Sequence, residues 1–254
     1  MKILVVTSEV TFVPKNYNLF LEELFKGLLS EKSLTIDLVI LKNNSPMLVI
    51  KALALMLMGA PRIGLSLMQN ALVAPFKDRK KIANTYGIEM HFFDNPNSTE
   101  FLNFVATHQT DLIVNARTRF IYKSKILKLP RLAAINIHHG LLPDYRGTMC
   151  DLWALKDDRP TGFTIHVMDK KIDNGAIIKK TQTSTHGDLL RNNFAQLIKE
   201  SSRLEGIEMS NTIKIINKEG RLPIEEQNIS KHPVYTKNPD FKTIRMLTQK
   251  GIKL

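Results

Sequence analysis

Cysteine is nearly absent: Cys150 is the one thiol in 254 residues. That excludes an intramolecular disulfide and a cysteine-built zinc site, and it fits a reducing compartment. The chain also lacks the run of about 20 apolar residues that a membrane-spanning helix needs. The longest candidate, Met47 to Ala60 (MLVIKALALMLMGA), is about 14 residues long and interrupted by Lys51. The start, Met1-Lys2-Ile3-Leu4-Val5-Val6, enters a strand-like run without the apolar region and small-residue cleavage site of a secretory signal. A cytoplasmic location is therefore expected. No internal repeat and no low-complexity tract appears. Acidic residues are in deficit, 24 against 36 Lys and Arg, for a net charge of +12. The surplus favours anionic partners. The lysines are spread along the chain, so a merely solvated surface stays open beside that reading.

Apolar residues make up 43% of the chain, enough for a sizeable core. Lys2 to Thr7 reads as a buried strand. Tyr17, Phe20, Leu21, Leu24, Phe25 and Leu28 recur at helical spacing, which predicts a helix over 16–29. Further strands are expected at 34–41, 88–93, 111–115 and 133–138, with helices at 78–86 and 98–107. The fold class is α/β: Rossmann-like, a mainly parallel twisted sheet with helices on both faces. From Gly162 the pattern changes to a hairpin of strands, 163–169 and 176–181. A long helix follows over 189–214, then a polar tail punctuated by Pro223, Pro233 and Pro239. The apolar pair of helices from Met47 to Val73 reads as core. Contact with a membrane surface or a second subunit is the alternative.

The chemistry gathers between Asn136 and Gly175. Asn136 and His138 alternate at the carboxyl end of a strand, so both project to one side, where open α/β sheets place their ligands. Leu141-Leu142-Pro143 then turns the chain, and Gly147 lets the backbone pass close to something. Asp173 sits beside Asn174-Gly175. Taken singly, Asn136 is a strand-end residue and Asp173 a solvated turn residue. Jointly, in this order, they point to a site. The histidines 138, 139 and 166 have poor ligand spacing and no paired carboxylate, so no metal is expected.

These motifs resemble the 10-formyltetrahydrofolate-dependent formyltransferase family, which includes methionyl-tRNA, glycinamide ribonucleotide and sugar N-formyltransferases. The shared signature is Asn136-x-His138, Leu141 to Pro143, Gly147, Thr161-Gly162-x-Thr164 and Asp173-x-Gly175. The resemblance implies a catalytic domain over 1–215, a short C-terminal extension over 216–254, and a catalytic set of Asn136, His138 and Asp173. Asn136 and His138 would donate to the oxygen of a tetrahedral intermediate, His138 would handle a proton, and Asp173 would hold its charge or order a water. The co-substrate would be 10-formyltetrahydrofolate. Its pocket would come from Phe120, Ile121 and Tyr122, from Leu141 and Gly147, and from the 168–173 loop with Asp169 and Asp173. Arg117 and Arg119 depart from the apolar loop of relatives. A glutamyl tail, a phosphate or water are the partners open to them. His166 reads equally as a pocket or a core residue, and His139 has no assigned role.

The acceptor is read from smaller signals. Thr7 to Pro14 holds no glycine, which disfavours the phosphate loop of glycinamide ribonucleotide enzymes. The tail is too short for the barrel of the tRNA branch. Gln227 and Tyr235-Thr236 resemble the piece after the core in sugar N-formyltransferases. A nucleotide-linked amino sugar is the expected acceptor. Activity on tRNA or glycinamide ribonucleotide, a formyltetrahydrofolate hydrolase and a non-catalytic binding module are the alternatives. A homodimer and a weak membrane-surface contact through 47–73 are the further partners considered.

Overall fold

The computed structural model describes residues 1–72, 75–230 and 234–254. In chain order the elements are β1 (Lys2–Ser8), α1 (Asn18–Leu28), β2 (Thr35–Leu41), α2 (Pro46–Leu57), α3 (Pro61–Leu72) and α4 (Pro75–Tyr86). Then come β3 (Glu89–Phe93), α5 (Thr99–Thr107), β4 (Leu112–Ala116), α6 (Ser124–Leu127), β5 (Ala133–His138) and β6 (Tyr145–Gly147). The last are α7 (Cys150–Lys156), β7 (Thr161–Val167), β8 (Ile177–Ser184), α8 (Phe194–Glu219), β9 (Val234–Thr236) and α9 (Phe241–Gln249).

Among the described residues, seven strands form one sheet in the order β3-β2-β1-β4-β5-β7-β8. The first five are parallel, while β7 runs antiparallel to β5 and β8 antiparallel to β7. The expected α/β sheet and its hairpin addition are both present. Alternate strand residues bury into two layers, as a sheet covered on both faces requires. Ile3, Val5, Leu38, Ile40, Val114 and Ile135 pack with Phe20 and Leu24 of α1 and Met209 and Ile213 of α8. Leu4, Val6, Val39, Leu41 and Ile113 pack on the other face with Phe101 and Val105 of α5 and Ile126 of α6. Full burial of each such side chain contributes about 1.5–3 kcal/mol. Helices α1 and α8 approach closely because Gly206 has no side chain; a Cβ there would lie 2.6 Å from the Phe20 carbonyl. The chain leaves β1 in one direction along the sheet and returns to β4 on its other side. The cleft opens at this reversal, beyond the carboxyl ends of the strands.

Three sequence expectations change. The helix expected over 189–214 is broken: Leu189–Asn192 is a 3₁₀ turn, and α8 starts after Asn193, whose extended backbone and side chain cap Gln196. The Asn side chain competes with helix continuation by offering its oxygen to the next N–H. The apolar pair of helices is buried on one face alone. Leu48, Ala52, Ile63 and Leu67 are covered, but Ile50, Leu53, Leu57 and Leu65 are exposed. Helix α3 is described to Leu72; Val73, like Pro233, lies outside the described residues. Finally, the tail after Gly220 returns to the sheet's carboxyl end. Strand β9 pairs in parallel with β6, and the C-terminal Leu254 is buried.

Candidate active site

Register builds the centre of the site. Asn115 of β4, Asn136 of β5 and His166 of β7 are direct partners across three neighbouring strands. Partners project to the same face, so their side chains meet. The Asn115 Nδ2 donates to Asn136 Oδ1 at 2.8 Å, and Asn136 Nδ2 donates to His166 Nε2 at 3.0 Å. Two hydroxyls fix these orientations. Thr118 Oγ1 and Tyr122 Oη donate to Asn115 Oδ1 at 2.7 and 3.2 Å, which leaves the Asn115 amide nitrogen to face Asn136. His166 Nδ1 donates to the Val167 carbonyl at 2.8 Å, so its Nε2 is the acceptor. One N–H of Asn136 is thereby engaged. The second N–H on the same nitrogen is left for the cleft that Asn136 lines.

His138 ends β5 and is buried. Its Nε2 donates to the Tyr145 carbonyl at 2.9 Å, and its Nδ1 lies 3.3 Å from Asp173 Oδ2. Burial lowers its pKa from the ordinary 6.5, and the Asp173 charge only partly offsets this. The Nδ1 faces the Asp173 carboxylate, so a proton placed on it has an anionic partner. Burial raises the Asp173 carboxyl, but His138, His166 and the Gly147 N–H together outweigh it and hold it well below the carboxylate range. The Gly147 N–H donates to Asp173 Oδ2 at 2.8 Å, and His166 Nε2 lies 3.6 Å from Oδ1. Asp173 is thus ionised between two imidazoles. The backbone that Gly147 passes is Thr236 of the tail: a Cβ at 147 would lie 2.4 Å from the Thr236 carbonyl, at a φ of +102°. The tail strand and the Asp173 clamp share this one glycine.

Asn136, His138 and Asp173 open into a cleft of about 900 Å³. Phe120, Ile121, Tyr122, Gly147, Asp169 and Asp173 line it, with Asn136, His138 and His166. Leu141 does not; a Cβ on Gly162 would meet the Leu141 Cδ2 at 2.8 Å, which places that side chain against β7. Lys51, Arg117, Arg119, Lys170, Lys171 and Lys237 also line the cleft, against the acids Asp169 and Asp173. The described residues grouped closely enough to hold a metal ion, Asp37, Glu89 and His91, lie on β2 and β3 away from this cleft.

The Formyl transferase family model matches residues 72–203, more than half of the chain. The chain belongs to this family. A GDP-perosamine N-formyltransferase from Brucella melitensis is 37% identical over 89 residues, covering 35% of this chain and 34% of that protein. A methionyl-tRNA formyltransferase from Chlorobium limicola is 31% identical over 173 residues, covering 66% and 52%. The chain thus spans a third to a half of the length of these relatives. The crystal structure of a Shewanella sugar N-formyltransferase superposes with a TM-score of 0.60 at 16% identity, covering 93% of this chain and 76% of that one.

In this formyltransferase-family chain a second polar cluster adjoins the cleft. Half-buried His139 lies 2.6 Å from Asp151 Oδ2 and 2.5 Å from Glu205 Oε1. Arg117 reaches Glu205 at 3.2 Å and stacks over the Tyr17 ring, whose hydroxyl donates to Glu205. Arg117 therefore has an internal carboxylate partner and also lines the cleft. Arg119 stays on the cleft, 4.7 Å from the Phe12 ring centroid. Burial raises Glu205, but Arg117 and His139 prevail and hold its pKa down to about 2. Burial and Arg117 lower His139; Asp151 and Glu205 outweigh them and raise it above 6.5.

Opposite signs follow for the adjacent histidines. A raised His139 gives stability that is full below about pH 6.5 and lost as pH rises through its folded value. A lowered His138 costs stability as pH falls below about 6.5, because the unfolded chain takes a proton the folded chain refuses. His139→Gln should lower the melting temperature most at about pH 6 and progressively less toward pH 8. Thermal melts across that range check it; an equal loss at every pH would show that His139 carries no proton in the fold.

Proposed function

We propose that this protein transfers a formyl group from 10-formyltetrahydrofolate to a primary amine, with Asn136, His138 and Asp173 as the catalytic set. The observation that carries the reading is the oriented Asn136 amide, with one N–H free on the cleft beside the His138–Asp173 pair. When bound, the folate supplies an activated formyl carbon. Attack by the amine places negative charge on the formyl oxygen. Asn136 donates to that oxygen from a position held by its neighbours, so little reorganisation is needed as charge develops. His138 Nδ1 accepts the proton released by the amine, directly or through a water. The charge that forms there faces Asp173, already ionised at 3.3 Å. The intermediate collapses as the bond from the formyl carbon to folate N10 breaks, N10 leaving with the proton from His138 to give tetrahydrofolate. Because His138 commits its Nε2–H to Tyr145, Asn136 is the main oxyanion donor.

Phe120 to Tyr122 and the 168–173 loop form the folate side of the cleft. Six basic residues along its walls suit an acceptor carrying phosphate as well as the glutamyl carboxylates. With Phe12 and Val13 in the wall, we take the acceptor to be a nucleotide-linked amino sugar. The family membership and the sugar N-formyltransferase relatives support this reading. The test is binding: saturating 5-formyltetrahydrofolate should raise the melting temperature, and at about 100 times Kd the linkage amounts to about 2.7 kcal/mol. No shift and no calorimetric heat would sink the folate assignment. A panel of amino-sugar nucleotides, methionyl-tRNA and glycinamide ribonucleotide then identifies the acceptor. Folate release without any amine would mark a hydrolase.

A further inference from the structure

The α2–α3 hairpin inserts between β2 and α4 and makes one wall of the cleft. Its inner face, Leu48, Ala52 and Leu67, packs on Val10 in the loop after β1. Lys51, Ala54, Leu55 and Met58 line the cleft itself. Its outer face is apolar and uncovered: Met47, Ile50, Leu53, Leu57, Leu65 and Leu72 are each about half exposed or more, with Leu57 at 87%. A patch of this kind on one hairpin calls for a partner.

Charge says which partner. From Leu38 to Lys77 the chain contains no Asp or Glu, although it holds 24 elsewhere. The same stretch carries Lys42, Lys51, Arg62 and Lys77, all exposed, and Lys80 and Lys81 follow on the exposed side of α4. Lys51 is exposed one helical turn from Met47, between the outer apolar face and the cleft it lines, so a cation borders the apolar groups. The hairpin itself, Pro46 to Leu72, holds no acid, so a second copy placed here about a two-fold axis would bring its own like charges together; the exposed acids next to the flanking cations are Asp78, after Lys77, and Asp94, 3.2 Å from Lys42. No described helix is long and apolar enough to cross a bilayer. Short helices with an exposed apolar face bordered by cations fit the headgroup region of a bilayer that bears anionic lipid.

We propose that the outer face of α2–α3 docks on an anionic membrane surface, which sets the mouth of the cleft beside the lipid. The inference rests on the hairpin and not on the formyl-transfer reading. It is tested by co-sedimentation of the full chain with phosphatidylcholine vesicles, with or without phosphatidylglycerol. Runs at about 0.1 and 0.5 M salt separate the charge contribution. The protein should bind the phosphatidylglycerol vesicles about tenfold or more tightly than pure phosphatidylcholine, and more weakly at high salt. Leu53→Glu with Leu57→Glu should cut that binding by about tenfold or more. Light scattering and thermal melts accompany the series. Should the double variant fail to fold, Lys51→Glu, a single exposed side chain, decides: binding should fall severalfold, and unchanged binding would overturn the proposal. Equal absence from both vesicle types would overturn it too. So would a wild-type dimer that the double variant splits without any vesicle binding, which would assign the face to a second copy.

Discussion

Asn136→Ala should lower kcat for formyl transfer by about a hundredfold or more while leaving folate affinity within a few-fold of wild type. The asymmetry follows from where the donor points. The formyl oxygen is fully charged in the transition state alone, so a lost N–H is felt there and little in the ground state. One lost oxyanion donor typically costs roughly 3–4 kcal/mol. The effect is large because the amide is fixed from both sides, its oxygen taking the Asn115 N–H and its nitrogen giving to His166. Asn115→Ala should therefore lower kcat by about tenfold without touching the folate, since it frees the Asn136 amide to rotate. Steady-state kinetics on folded variants give both numbers. A rise in KM at constant kcat in either variant would move Asn136 from catalysis to binding.

Asp173→Asn should cost about as much by a different route. Asparagine keeps the shape and removes the charge that faces His138 Nδ1 at 3.3 Å. The imidazolium formed when His138 takes the amine proton then has no counter-charge in a buried position. A loss of roughly a hundredfold to a thousandfold in kcat is expected. The pH profile carries the sign. Asp173 raises the His138 pKa against burial; without it the value falls further, so the acid limb of kcat moves to lower pH. An unmoved limb would show that the titrating group is not His138. Because the residues act as a unit, Asn136→Ala combined with Asp173→Asn should lose far less than the product of the single losses.

The alternating strands and helices were legible because apolar period and length decide buried strands, and the hairpin was legible from its turn residues. Asn136, His138 and Asp173 were legible as a pattern in order along the chain. What escaped depends on register or on distant partners. Asn115 closes the DLIVN strand and reads as an ordinary strand-end residue; its role comes from lying opposite Asn136 once β4 and β5 pair. Glu205 sits on α8 among helix formers, with nothing local to show that Arg117, His139 and Tyr17 converge on it from three other segments. Buried Arg146 was likewise invisible: its guanidinium ties Asn174 of the 168–175 loop to Asn228 of the tail. The apolar 47–73 segment misled because composition does not say which side of a helix finds cover. Leu141, which the family resemblance implies for the cleft, packs instead on β7, where Gly162 leaves it room.

The proposed place of formyl transfer to an amine is the group Asn136, His138 and Asp173. It is tested most directly by following isotope-labelled formyl from 10-formyltetrahydrofolate into product, with wild type, Asn136→Ala and Asp173→Asn compared across the acceptor panel. Tetrahydrofolate release matched one for one by an N-formyl product is expected with at least one amine, and loss of both in either folded variant. Near-wild-type transfer by the folded variants would contradict it, as would a folded wild type that binds the folate and formylates no amine.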